Sequence, residues 1–327
     1  MSGRARTHRS DNDRRRVPYS VTALATALVC ATAFLTFSPA AAGQAVKQRT
    51  FASADEAVRA LIDTVKKGNL DDLMAIFGPD AQDVVNSSDP ATGRRNREVF
   101  TVAAAERWRL SDDAPNKKTL VIGNEDWPFP VPLVKQGNAW RFDTAAGKEE
   151  IIARRIGQNE EAAIDTCLAY VTAQQRYAQS GHDGKPAGVY ATTFQSDPGK
   201  ENGLYWPAAH GQKRSPLGDL VADAAEDGRP VGGARSERTP LHGYYFKILT
   251  AQGPAAQGGA KTYTVNGQMT AGFALVAWPA EYDMTGVMTF IVNQDGMVRE
   301  KDLGQGTEAA VRNMTAYNPD KSWKPAQ

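Results

Sequence analysis

Apolar residues fall first at helical spacing and then at strand spacing, and the second half of the chain repeats that order. Val58, Leu61, Ile62 and Val65 recur at the helical period behind a Ser53–Glu56 capping box. Gly68 closes this helix, and Asn69 caps a second one carrying Leu70, Leu73, Met74 and Phe77, which Gly78-Pro79 stops. Residues 86–93 read as a loop, and a third helix is predicted from about Arg94 to Glu106. The period then shortens. Lys118 to Ile122 reads as a strand, and the proline-rich Trp127 to Pro132 as an edge or extended segment. Leu133 to Lys135 and Ala139 to Asp143 form a hairpin across Gly137-Asn138.

The second half opens on a predicted helix from Lys148 to Ile156. Another is capped by Asn159 and buries Ile164, Cys167, Leu168, Val171 and Tyr177. A turn-rich stretch, Ser180 to Gly203, follows. Pro216 to Glu226 reads as a short helix and residues 228–240 as a loop. Strands are predicted at Gly243 to Thr250, Tyr263 to Val265, Gly272 to Trp278, Val287 to Val292 and Met297 to Lys301, the last two joined through Asp295-Gly296. The tail after Pro319 is expected to be disordered. The expected fold class is α+β in two modules: a helical layer on a small curved antiparallel sheet (residues 43–145), and a long helix packed on an antiparallel sheet (146–305), with a tail at 306–327.

The N-terminus changes where such a protein is expected to work. Six arginines against two aspartates precede an apolar run from Val21 to Phe37, and Ala40-Ala41-Ala42 offers a cleavage site: the pattern of an export signal over residues 1–42. An uncleaved anchor is the alternative reading of the same run. Without the leader the chain holds 32 basic and 35 acidic residues, a formal net charge of −3. That balance speaks against nucleic acid as a partner and against an electrostatic membrane-surface protein, and no stable membrane span is expected after cleavage. Cys167 is then the only cysteine left, so no internal disulfide is expected, and its helical setting marks it as a core residue.

Three resemblances add to this reading. Ala57 to Asp80, with the hairpin ending Ala139-Trp140-Arg141-Phe142-Asp143, resembles an NTF2-like or cystatin-like cone, which implies a sheet wrapped by helices around a pocket. Gln174 to Tyr177, Tyr190-Ala191, Gly243 to Phe246, Ala277 to Pro279 and Gly286 to Gly296 follow in the order of the soluble part of type IV pilins and pseudopilins. The prepilin cleavage site and apolar polymerising helix are missing, so that likeness implies the fold alone. From about Phe51 to Asp302 the chain resembles a bacterial exported family, domain of unknown function 2950, on Asp126 to Pro130, Gly203 to Pro207 and Phe290 to Gly296. This implies export and a shared fold and brings no catalytic residues.

Chemistry is sparse in the pattern. His182, His210 and His242 occur without metal-ligand spacing, so no metal and no cofactor are expected, and His182-Asp183-Gly184 reads as a solvated turn. No nucleophile elbow or phosphate-binding glycine loop is present. Glu125 and Asp126 beside Trp127, and Asp143 at a strand end, are the candidate acids for a hydrolase or isomerase. Trp127, Trp206, Tyr205, Tyr244 and His242 are the candidate binding residues, with Trp127 and Trp206 placed near the surface by their prolines. The leading expectation is a non-catalytic envelope protein that binds another protein or a small ligand. A small-pocket enzyme and a pseudopilin-like assembly component are the alternatives.

Overall fold

A computed structural model describes residues 47–85, 90–207, 214–218 and 240–326. The expected leader, His210 and most of the helix and loop expected within 216–240 lie outside these residues. The fold is α+β, with two separate apolar cores.

The first core lies between helices and a small antiparallel sheet. Helix α1 (Ala54–Lys67) starts where the Ser53 side chain accepts the Glu56 N–H, while the Glu56 carboxylate accepts the Ala52 N–H. Gly68, at φ 67°, ends it in the left-handed conformation. Asn69 caps α2 (Leu70–Phe77) by accepting from the Asp72 N–H. A 3-10 turn and α3 (Gln82–Val85) follow, and α4 (Pro90–Glu106) begins four residues earlier than expected. The sheet comprises β1 (Trp108–Ala114), β2 (Lys117–Ile122), β3 (Trp127–Pro128), β4 (Leu133–Gln136) and β5 (Ala139–Phe142). Its order is β1-β2-β4-β5, with β3 paired to β2. Phe51 extends the β5 edge through a two-way backbone bridge with Trp140. Leu61, Ile76, Leu120, Ile122, Leu133 and Phe142 are fully enclosed. At about 1.5–3 kcal/mol per large apolar side chain, this packing and not helix propensity holds the short helices in place.

Two helices were expected across residues 148–179, and one is found. Helix α5 runs unbroken from Thr144 to Ala178, 35 residues or roughly 52 Å at 1.5 Å per residue. Its cap is Asp143, whose Oδ1 accepts from the Ala146 N–H at 3.4 Å; Asn159 sits inside the helix and donates instead to the Thr285 carbonyl at 2.8 Å. The first turn belongs to the first core. A Cβ on Gly147 would come within 2.6 Å of Val131, so only glycine lets the helix lie this close to the extended segment. From Ala163 to Tyr177 the same helix packs into the second core, with Leu168 exposed on the far side, contrary to its expected burial.

That core is covered by a five-stranded antiparallel sheet, β6 (Tyr244–Leu249), β11 (Ala274–Pro279), β12 (Met288–Asn293), β13 (Arg299–Asp302) and β14 (Lys324–Pro325), in the order β14-β13-β12-β11-β6. Two-stranded ribbons of β7 (Ala251–Gln252) with β8 (Lys261–Thr262), and β9 (Thr264–Val265) with β10 (Gln268–Met269), flank it. Glu160 ties α5 to the start of β12, its Oε1 accepting the Val287 and Met288 N–H groups at 2.8 and 2.9 Å. Tyr244 points to that helix side. Lys247, three residues on, points to the opposite face, where its Nζ donates to the Val311, Arg312 and Met314 carbonyls at the end of α6 (Thr307–Arg312). The chain after Pro319 is ordered: Trp323 is buried against the sheet and β14 pairs with β13, which corrects the expectation of a disordered tail.

Candidate functional site

Two clusters carry the polar and aromatic chemistry that the cores do not use. The first is a ledge on the edge of the N-terminal sheet. β3 is only two residues long because Pro128 and Pro130 withhold backbone donors, so Trp127 stands at an open edge, 45% exposed. Its ring lies edge-on to Phe129 at 6.3 Å, and the Arg154 guanidinium of α5 sits 5.5 Å from its centroid. Arg154 is fixed there by donating to the Pro128 carbonyl and to Glu150. Asp126 takes a positive φ of 55° and pairs with Arg107 at 2.7 Å and Arg109 at 3.3 Å. The Asp126 carboxyl therefore faces two guanidinium groups in solvent and not the apolar wall expected beside Trp127. Glu125 is exposed beside it.

The second cluster closes the C-terminal end of α5. His182-Asp183-Gly184-Lys185 is a tight turn with positive φ at both central residues, the geometry of a type I′ turn. The turn is where it was expected, but His182 is not solvated: it is 7% exposed and stacked on Tyr177 at 4.1 Å, with Trp206 5.6 Å away. Its Nδ1 lies 3.0 Å from Glu201 Oε2 and its Nε2 3.2 Å from Ser180 Oγ, the spacings of a serine–histidine–acid relay. Nε2 also lies 3.1 Å from the Tyr177 carbonyl oxygen. A carbonyl only accepts, so Nε2–H donates to it and has no lone pair left for the serine proton. Ser180 also sits just past the negative end of a 35-residue helix, where a developing oxyanion would be repelled. The arrangement is a clamp: His182 satisfies a terminal helix carbonyl, and Glu201 joins the 179–206 segment to it. Burial, then the Asp183 and Glu201 charges, push the Tyr177 hydroxyl up to about 12.

The remaining candidates have structural roles. Asp143 is the cap of α5, its carboxylate accepting from the Ala146 N–H. Trp206, expected near the surface, is 7% exposed in the second core, because Leu204 and Trp206 fold inward beneath the loop. Tyr205 is half-buried against the same core. Tyr244 is fully buried and donates to the Met288 carbonyl, so it is no surface contact. His242 holds a positive φ of 47° in the turn that starts β6. Burial raises the Cys167 thiol well above its ordinary value, in keeping with a core residue. Sequence reasoning missed Arg107 and Arg109 around Asp126, Arg154 against Trp127, and Ser180 and Glu201 around His182. Each group joins residues far apart in the chain or separated by a turn, and no local pattern marks them.

Among the described residues no three His, Cys, Asp or Glu side chains are grouped to hold a metal, and no helix is long and apolar enough to cross a membrane. These features define a class: an α+β protein of two cores sharing one long helix, with an exposed tryptophan held against an arginine on its surface. Within that class the chain belongs to the family of proteins of unknown function DUF2950, which it matches over residues 48–326. No curated protein and no solved structure matches it.

Proposed function

We propose that this is an exported, non-catalytic protein of the cell envelope that docks a protein partner on the Trp127 ledge. The observation that carries the reading is Trp127 itself: a large aromatic left 45% exposed, yet held in one orientation by Arg154 and Phe129. A pre-ordered aromatic inside a charged rim is the usual anatomy of an interface anchor, since it buries much area while losing little side-chain freedom. Helix α4, packed on β2 alongside, exposes Val99 and Val102 as further apolar surface. Export rests on the leader pattern, with cleavage after Ala42 placing the mature chain in the periplasm or envelope. Crosslinking in intact cells, pull-down of the tagged chain and mass spectrometry test the proposal. A specific envelope partner should be recovered with the native chain and fall at least tenfold with Trp127→Ala. Equal recovery with the variant would remove the ledge from the interface.

A second reading, a pseudopilin-like assembly component, is supported by the layout of the C-terminal half, a long helix on an antiparallel sheet. It requires co-purification with secretion or pilus proteins that survives Trp127→Ala.

A further inference from the structure

Helix α4 is apolar on two sides. Phe100 and Ala104 face the first core, whereas Val99 and Val102 are turned away from it and are each 61% exposed. A surface helix ordinarily keeps its apolar residues in one stripe toward the core. Valine is also a poor helix former, so propensity does not account for two of them on the outer side. At 3.6 residues per turn, Arg95 and Glu106 fall on the same outer stripe, one turn before Val99 and one turn after Val102. Both are exposed, so the stripe reads Arg, Val, Val, Glu over roughly 16 Å. Its charges run against the helix. Helix α4 has no acid in its first turn and no base in its last, and it ends on Glu106, where the dipole favours a cation. Glu106 accepts the Asn124 N–H at 3.2 Å, but among the described residues neither it nor Arg95 has an oppositely charged partner. A second α4 laid antiparallel, with a two-fold axis between Val99 and Val102, supplies what is missing. Val99 then meets the partner's Val102, and Arg95 meets the partner's Glu106, each contact occurring twice by symmetry.

We propose that the outer face of α4 docks a second copy of this chain, with the valines at the centre of the contact and two Arg95–Glu106 ion pairs at its ends. The ledge reading stands on Trp127 and needs neither valine. Phe100 is the α4 residue on the Trp127 side, its ring 5.4 Å from Phe129, and the valines turn the other way. A dimer therefore leaves the ledge free, and either proposal can fail alone.

The test is sedimentation equilibrium of the chain as purified from cells, from micromolar to millimolar concentration. A reversible dimer is expected for the native chain. Arg95→Glu and Glu106→Arg each set like charges together at both ends of the contact, and each should weaken association at least tenfold. Mixed in equal amounts, these two variants should form a heterodimer of native strength, because opposite charges then meet at both ends again. Val99→Asp, at a position the folded chain leaves exposed, should also leave monomers; it decides the matter alone if Glu106→Arg does not fold. Trp127→Ala should leave the dimer intact, so a failure here and a failure of the ledge are read from different variants. A native chain that stays monomeric throughout, a dimer undiminished by Val99→Asp, or folded charge variants that do not pair on mixing would overturn the proposal.

Discussion

Glu160 shows how one side chain holds the two layers of the C-terminal half together. Its carboxylate accepts two backbone N–H groups at the start of β12, and the Tyr244 hydroxyl lies at 3.5 Å. Removing it leaves two partly buried donors unmet. Glu160→Ala should therefore lower unfolding stability by about 2–3 kcal/mol in urea titration, whereas Glu160→Gln, whose amide oxygen still accepts, should recover most of that loss. Equal losses in the two variants would show that packing and not hydrogen bonding is at stake. Individual residues were legible where their role is local. The Ser53 and Asn69 caps and the Gly68 stop are set by neighbours within four positions. Trp206 and Tyr244 were not, because whether an aromatic faces solvent or core depends on partners such as Tyr177 and Glu160, dozens of positions away.

Among the elements, α5 differs most from expectation. Asn159 with two acids behind it has the form of a helix start, but nothing between Ile156 and Asn159 stops the preceding helix, since Gly157 weakens a helix without ending it. Gly157 is exposed and a Cβ there would meet no atom within 4 Å. Gly157→Ala should accordingly raise stability by about 0.5–1 kcal/mol, read as a higher urea midpoint at unchanged slope. An unchanged midpoint would mean that this turn is already frayed. The strands divide in the same way. The hairpins at 133–142 and 288–302 were legible from alternation and turn glycines. Strand β1 was not, because Trp108 to Ala114 is mostly polar and exposed and is held by its ladder with β2, which composition does not reveal.

For the molecule as a whole, the buried tyrosines set an alkaline limit. Burial raises the hydroxyls of Tyr170, Tyr177, Tyr244 and Tyr263 above their ordinary value of 10. The folded chain thus keeps protons that the unfolded chain releases, so this contribution to stability is complete below pH 10 and is lost as pH rises through 10 toward about 12, where Tyr177 itself ionises. Unfolding by circular dichroism should coincide above pH 10 with the last step of the tyrosinate rise, the part due to these four. Ionisation of all ten tyrosines while the fold persists would show that these four hydroxyls reach water.

The shared helix has a consequence for the order in which the chain is made. Its N-terminal turns find their partners in residues already synthesised, such as Phe77 and Val131, and can settle at once. Its second half has none of its sheet until residues 244–293 emerge, at least 66 positions after the helix ends at Ala178. In that interval Cys167, Tyr170, Val171 and Tyr177 form a bare apolar stripe on a nascent chain, a natural handle for a holding chaperone and the point from which misfolding would begin.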